Sequence, residues 1–219
     1  MPVQPRAIAA LFAGALLAGL CQHAGASDRD SPAATASARR MAASIITAAN
    51  AGDLFDNVTN SSSPTVRHKA SGLTCYFDSN PQSNIRIFPG LPRGDDVSCG
   101  SYAGGAVETL YATRPRRPMT LDRAFTVYRR EVLAANPTAK TYDGPVAATA
   151  PGVPDLPERR TARFEYMFQG HPVFSRLSVA IVGDWIIEQR VSGPQVKAQE
   201  IDALGEDLMV VALTGLSDR

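Results

Sequence analysis

The stretch from Arg160 to Val191 restricts the fold more than any other part of this sequence. It is rich in β-branched and aromatic residues, and two short turns interrupt it, at 169–172 and at 183–184. Each turn contains glycine, which lets a chain reverse its direction between neighbouring strands. The pattern predicts a three-stranded antiparallel meander, with strands at 160–168, 173–182 and 185–191.

Other segments predict shorter strands and three helices around this meander. Alternating apolar residues favour strands at 72–78, at 84–88, and from 96 to 113 with a break at Gly104-Gly105. Apolar residues three and four apart favour helices at 37–50, from the N-cap Thr120 to Asn136, and at 195–213. An antiparallel sheet buries its apolar face when helices pack on it. The sequence therefore predicts an α+β sandwich, with the order helix, strands, helix, three-stranded meander, helix.

This element order resembles the Mog1/PsbP-like layout, in which helices cover an antiparallel sheet. The resemblance covers the order of the predicted elements and assigns no functional residues in this sequence. Proteins of that layout act mostly as binding or assembly factors. The resemblance therefore implies a binding or assembly role.

The N-terminus predicts export from the cytoplasm. Arg6 precedes an apolar run at 7–20, and Ala24-Gly25-Ala26 fits the small-residue pattern of a signal peptidase site. The run is shorter than the about 20 apolar residues of a membrane-spanning helix. We therefore expect cleavage after Ala26 and a mature protein in a bacterial periplasm or outside the cell, with no transmembrane segment.

The predicted domain organisation follows from this cleavage. Residues 1–26 form the secretory signal peptide, 27–36 a disordered leader, and 37–219 a single α+β domain. The alternative is a lipoprotein anchored through Cys21, although Leu20 is bulky for the position before a lipidated cysteine.

Cleavage leaves two cysteines, Cys75 and Cys99, in an oxidising compartment. Disulfides persist in such compartments, and both cysteines lie on predicted strands with apolar residues on the same face. We expect them to form a buried disulfide, which stabilises a loop of this length by about 3.5 kcal/mol. Redox activity is the alternative, although such pairs usually have the closer C-x-x-C spacing.

The strongest local charge pattern is basic. Between positions 114 and 130 six arginines accompany one acid, Asp122. Several precede or begin the second helix, whose N-terminus favours anions. We expect a ligand- or partner-binding surface formed by Arg114, Arg116, Arg117 and Arg123. An envelope protein or a small anionic or lipidic ligand would suit it, and a solvated surface without function is the alternative.

Most familiar catalytic signatures are missing. The mature chain has two histidines, His68 and His171, and no HExxH, G-x-S-x-G or phosphate-binding glycine motif, so we expect no metal and no cofactor. The overall balance of 22 Lys and Arg against 21 Asp and Glu argues against a nucleic-acid partner.

These observations favour a non-enzymatic binding or envelope-assembly module. The alternative is a small envelope hydrolase or isomerase that uses His171 or a carboxylate of the meander, Glu165 or Glu188. A purely structural envelope component is a third hypothesis.

Overall fold

A computed structural model describes residues 31–147 and 156–217. The predicted signal peptide, its cleavage site, Cys21 and the first residues of the leader lie outside the described residues. The helices are α1 (Pro32–Ala48), α2 (Leu121–Ala135) and α3 (Ala198–Ser217). The strands are β1 (Phe55–Asn57), β2 (Thr65–His68), β3 (Thr74–Tyr76), β4 (Asn84–Ile87), β5 (Asp96–Ala103), β6 (Ala106–Thr113), β7 (Lys140–Thr141), β8 (Arg159–Phe168), β9 (His171–Val182) and β10 (Trp185–Pro194).

The strands form two antiparallel sheets. The small sheet has the order β1-β2-β3, and the large sheet has the order β4-β5-β6-β10-β9-β8-β7. The α+β class is confirmed, and β8, β9 and β10 pair consecutively as the predicted meander. The sequence predicted one sheet rather than two, because β1 and β2 were not recognised. β2 shows no recognisable alternation of apolar and polar residues, since the polar residues Thr65 and His68 are buried there.

The large sheet is the middle layer of the structure. On one face it packs against α1, the small sheet and α3, through residues such as Ile46, Leu73, Ile187 and Leu213. On the other face it packs against α2, through residues such as Ala124, Val132, Phe164, Val179 and Ile186. Ile186 and Ile187 are consecutive and face opposite layers, because side chains alternate along a strand.

The predicted disulfide is present and joins the two sheets. Cys75 lies on β3 and Cys99 on β5, with an S–S distance of 2.02 Å. Both cysteines are buried, as are Leu73 and Phe77 on either side of Cys75. The bond therefore fixes the small sheet to the large sheet through the core they share.

The first helix begins earlier than predicted. Ser31 is its N-cap, and its hydroxyl accepts a hydrogen bond from Ala34 N at 3.2 Å, with Pro32 in the first helical position. Residues 32–36, expected in the disordered leader, are therefore helical. Ser31 followed by proline is a helix-start signal that the apolar periodicity did not reveal.

The second helix matches its prediction closely. Thr120 is its N-cap and its hydroxyl accepts a hydrogen bond from Arg123 N, while Asp122 lies in the first turn. The helix ends at Ala135, directly before Asn136. The basic residues 114–123 therefore form the connection from β6 to α2 and the first turn of α2.

Candidate functional site

The connection from β6 to α2 runs beside the turn between β9 and β10. Here a cleft of about 240 Å³ opens at one end of the large sheet. Arg114, Pro115, Pro118, Met119, Ile181, Gly183, Asp184 and Ile186 line it. Its walls are largely apolar, whereas Arg114 and Asp184 are charged. Ligand sites commonly combine apolar walls with a few placed polar groups.

Arg114 is held in place at this cleft by two contacts. Its guanidinium lies over the Trp185 ring, 4.5 Å from the ring centre. Its Nη1 also pairs with Asp95 Oδ1 at 3.5 Å, and the Arg114 side chain remains 43% exposed. The aromatic ring and the carboxylate position the guanidinium while leaving part of it open to solvent.

The four arginines of the predicted surface differ in their surroundings. Arg116 Nη2 donates a hydrogen bond to Gly90 O at 2.7 Å, which directs it towards the 89–92 loop. Arg117 and Arg123 are exposed, and their side chains have no hydrogen-bond or ion-pair partner within residues 31–147 and 156–217. Their charges are therefore available to a ligand, whereas Arg116 already has a partner.

Asp122, the single acid of this basic stretch, is paired with a residue from the sheet. Arg160 Nε on β8 donates a hydrogen bond to Asp122 Oδ1 at 3.0 Å. Two hydrogen bonds raise the pKa of Arg160. The larger contribution comes from Glu158 and the next from Asp122. Asp122 is therefore engaged with Arg160, and among the described residues no acid pairs with Arg117 or Arg123.

His68 lies buried beneath Trp185 at the other side of the same region. Its ring packs against Trp185 edge-on with centroids 5.4 Å apart, and against Phe55 at 5.0 Å. Nδ1 lies 2.9 Å from Ser71 Oγ and 3.3 Å from Ser71 N. Burial, followed by the positive charge of Arg114, lowers the pKa of His68 to about 4. His68 is therefore a neutral support for Trp185, a role that its position between Arg67 and Lys69 did not predict.

A second group of arginines lies between α3 and the large sheet, with the buried Arg176 at its centre. Arg176 on β9 is 1% exposed, and its Nη1 donates to Gln189 Oε1 at 3.0 Å. Its Nη2 donates to Glu206 Oε2, and its Nε lies 3.3 Å from Asp202 Oδ1. Burial lowers the pKa of Arg176, and the charges of Glu206 and Asp202 oppose that effect.

This group continues to both sides of Arg176. Gln189 Nε2 donates to Glu108 Oε1 at 2.7 Å, and Arg163 Nε donates to Asp202 Oδ1 at 2.6 Å. Arg159 pairs with Glu206. Gly205 lets α3 approach closely, since a Cβ there would lie 3.0 Å from Arg176 Cδ. We call Arg159, Arg163, Arg176, Asp202 and Glu206 the buried ion network.

The residues of the enzyme alternative do not converge. His171 is exposed at the start of β9. Glu165 on β8 pairs with Lys140 Nζ at 2.6 Å and accepts a hydrogen bond from Gln195. Glu188 on β10 is 2% exposed and accepts a hydrogen bond from Arg190 Nε. Burial raises the pKa of Glu188 to about 7, and its carboxylate is already engaged with Arg190 of the same strand.

Two further structural findings concern metals and membranes. Within the described ranges, no group of three His, Cys, Asp or Glu side chains converges as a metal site would require. Among those same residues, none of the helices combines the length and apolar character needed to cross a membrane.

Comparison with known proteins gives no family. No protein-family model matches the chain, and no curated protein matches it in sequence. A structure of PA94, a protein of unknown function from Pseudomonas aeruginosa, is similar with a TM-score of 0.36 and 12% identity, covering 67% of this chain and 93% of that one. LpqN of Mycobacterium tuberculosis, described as involved in cell envelope biogenesis, is similar with a TM-score of 0.31 and 10% identity, covering 65% of this chain and 86% of that one.

Proposed function

We propose that this chain is an exported, non-enzymatic binding module of the bacterial envelope. Its ligand is a small molecule that joins an anionic group to an apolar part, and it binds in the cleft beside Arg114. The compartment follows from the predicted signal peptide, and the Cys75–Cys99 disulfide is typical of an oxidising environment. The observation that carries the proposal is an apolar cleft next to exposed arginines that no acid among the described residues pairs with.

The apolar walls and the arginines have separate tasks in this proposal. Pro115, Pro118, Met119 and Ile186 supply surface that a hydrocarbon chain can bury. The partly exposed Arg114, held over Trp185, offers a guanidinium to a carboxylate or phosphate. Arg117 and Arg123 attract the anion from solution, because uncompensated surface charge raises the local concentration of an opposite charge. An acidic protein partner would use the arginines but leave the apolar cleft unfilled.

The test uses octanoate, which carries a carboxylate on an apolar chain, and 1-octanol as the uncharged analogue. We expect isothermal titration calorimetry to detect octanoate binding, and 1-octanol to bind about tenfold more weakly or not at all. The double variant Arg117→Glu/Arg123→Glu should weaken octanoate binding by at least about tenfold. Arg116 is left unchanged, because its contact with Gly90 would confuse loss of charge with loss of loop structure.

The matched control is Arg129→Glu/Arg130→Glu, which makes the same charge change further along α2. It should leave octanoate binding within about threefold of the wild type, since screening weakens charges beyond about 10 Å. Equal losses in both double variants would show an unspecific charge effect. Octanoate binding that survives Arg117→Glu/Arg123→Glu would show that these two arginines take no part in binding.

A further inference from the structure

The large sheet has a polar half that α2 leaves open. α2 packs on β8 and β9, and on the same face the strands β4, β5 and β6 present their side chains beside it. The register places Arg86 opposite Ser98, Ser98 opposite Tyr111, and Gly100 between Asn84 and Thr109. Directly paired residues lie on one face of a sheet, so these side chains form one surface.

A second cleft lies on this surface, with a volume of about 150 Å³. Its lining includes the side chains of Asn84, Arg86, Ser98, Tyr102, Thr109 and Tyr111. It is lined by different residues from the cleft beside Arg114, and its walls are polar rather than apolar. The two clefts are therefore suited to different ligands.

Ser98 at the wall of this cleft has an unsatisfied hydroxyl group. The residue is 1% exposed, and within the described parts of the chain its Oγ has no hydrogen-bond partner. Buried polar groups are nearly always paired, because leaving one unpaired is unfavourable. A ligand or water that enters the cleft would supply the missing partner.

The glycine at position 100 keeps a neighbouring amide in the cleft. A Cβ at Gly100 would lie 3.2 Å from Asn84 Nδ2, so a side chain there would push the amide away. Asn84 Nδ2 donates to Gln82 O at 2.7 Å, which fixes the amide and leaves Oδ1 as an acceptor. Asn84 and Ser98 thus present an oriented acceptor and a hydroxyl on neighbouring strands.

The chemistry of the lining selects the ligand class. Among the described residues that line the cleft, Arg86 is the one charged side chain, and none is a carboxylate. A metal cation would lack its oxygen anions there, and a multiply charged anion would need more than one cation. Hydroxyl and amide groups that both donate and accept match a ligand with many hydroxyl groups. The half-buried ring of Tyr102 adds apolar surface for the C–H face of a sugar ring.

We propose that the cleft formed by Asn84, Arg86, Ser98, Tyr102, Thr109 and Tyr111 binds one ring of a neutral saccharide. The site is separate from the cleft beside Arg114, and this inference does not depend on the proposed function. Ser98 and Asn84 bind ring hydroxyl groups, and Arg86 covers the ring from the exposed edge of β4.

The test is a titration of the ¹⁵N-labelled chain with D-glucose, D-galactose and N-acetyl-D-glucosamine at millimolar concentration, followed by two-dimensional NMR. We expect at least one sugar to shift the amide signals of Ser98, Gly100 and Thr109. Ser98→Ala should raise the Kd for that sugar by about tenfold or more. Ser178→Ala is the matched control, since Ser178 is buried on β9 and its Oγ lies 3.1 Å from Thr161 Oγ.

Each outcome decides the proposal. It stands if a sugar shifts the cleft signals, Ser98→Ala weakens binding and Ser178→Ala does not. It fails if none of the three sugars shifts these signals, which would leave water as the partner of Ser98. It also fails if inorganic phosphate produces the same shifts as a sugar, or if Ser98→Ala binds as the wild type does. The double variant Arg117→Glu/Arg123→Glu should bind the sugar as the wild type does. The proposals for the two clefts can therefore be tested independently.

Discussion

The two groups of arginines in this molecule have opposite environments. The buried ion network lies under α3, where Arg176 is 1% exposed and contacts Glu206 and Asp202. The basic surface at 114–123 lies at the start of α2, where Arg117 and Arg123 are exposed and have no described partner. The comparison shows that the acids around Arg176 hold its charge in the interior, whereas Arg117 and Arg123 keep their charges in solvent.

The energetic difference follows from solvation. A charge taken out of water costs several kcal/mol, and its partners must compensate that cost. An exposed charge keeps its water and contributes little to stability, about 0–1 kcal/mol even when it is paired. Substitutions in the two groups should therefore affect different measurements, stability in one and binding in the other.

The largest effect is expected at Arg176. Arg176→Met should lower the free energy of unfolding by about 3–5 kcal/mol, because it leaves Glu206, Asp202 and Gln189 without their shared partner in the interior. Urea denaturation measures this change. Arg159→Met is the control, since Arg159 also pairs with Glu206 but its side chain is 21% exposed. Equal losses in the two variants would contradict the role assigned to burial.

A smaller effect, dependent on pH, is expected at Glu188. Its pKa of about 7 in the folded protein exceeds the ordinary value of 4.5, because burial disfavours the charged form. Its contribution to stability is therefore complete below about pH 4.5 and is lost as the pH rises through 7, by at most about 1.4 kcal/mol per pH unit. Glu188→Gln should remove this loss, so the variant should gain on the wild type between about pH 5 and about pH 8.

Titration of His68 should change the stability with pH in the opposite direction to Glu188, and the same denaturation experiment measures it. Its pKa of about 4 lies below the ordinary 6.5, so its contribution is complete above 6.5 and is lost as the pH falls through 4. The two pH windows overlap, so the loss of stability from His68 and the gain from Glu188 partly cancel in the wild type as the pH falls from 6.5 to 4.5. Glu188→Gln should therefore show a steeper loss of stability on the acid side. A variant curve parallel to the wild type at all pH values would contradict the buried state of Glu188.

The smallest effect on stability is expected on the basic surface. Arg117→Glu should change the free energy of unfolding by no more than about 0.5 kcal/mol, because the side chain is exposed and has no partner in the described part of the chain. The same urea denaturation measures it, with Arg129→Glu as a second exposed arginine for reference. A loss above about 2 kcal/mol would assign Arg117 to the folding of the connection rather than to binding.

Local patterns predicted much of the fold. The meander from 159 to 194 and the helix after Thr120 depend on signals carried by neighbouring residues. The Cys75–Cys99 bond was predicted because these two cysteines remain after the expected cleavage. β1 and β2 escaped prediction because they are three and four residues long and include the buried polar residues Thr65 and His68. So short a strand leaves no period to recognise, and its stability comes from the sheet that it joins.

The candidate site was predicted only as a concentration of charge. The sequence placed Arg114, Arg116, Arg117 and Arg123 near the start of a helix, but it did not distinguish them. The structure does distinguish them. Arg114 contacts Trp185 and Asp95, and Arg116 donates a hydrogen bond to Gly90 O. The apolar cleft likewise needs Ile181 and Ile186 from the meander.

By itself, the sequence determined the α+β class, the order of most elements, the disulfide pair and the basic stretch, since each depends on spacing or local composition. Only the tertiary structure decided which charges are buried. Arg176 meets Glu206 and Gln189 meets Glu108 across separations of 30 and 81 residues. Whether a charged side chain is buried, and which distant residue it pairs with, depends on how the layers pack. A buried charge needs such a partner because removing it from water is costly.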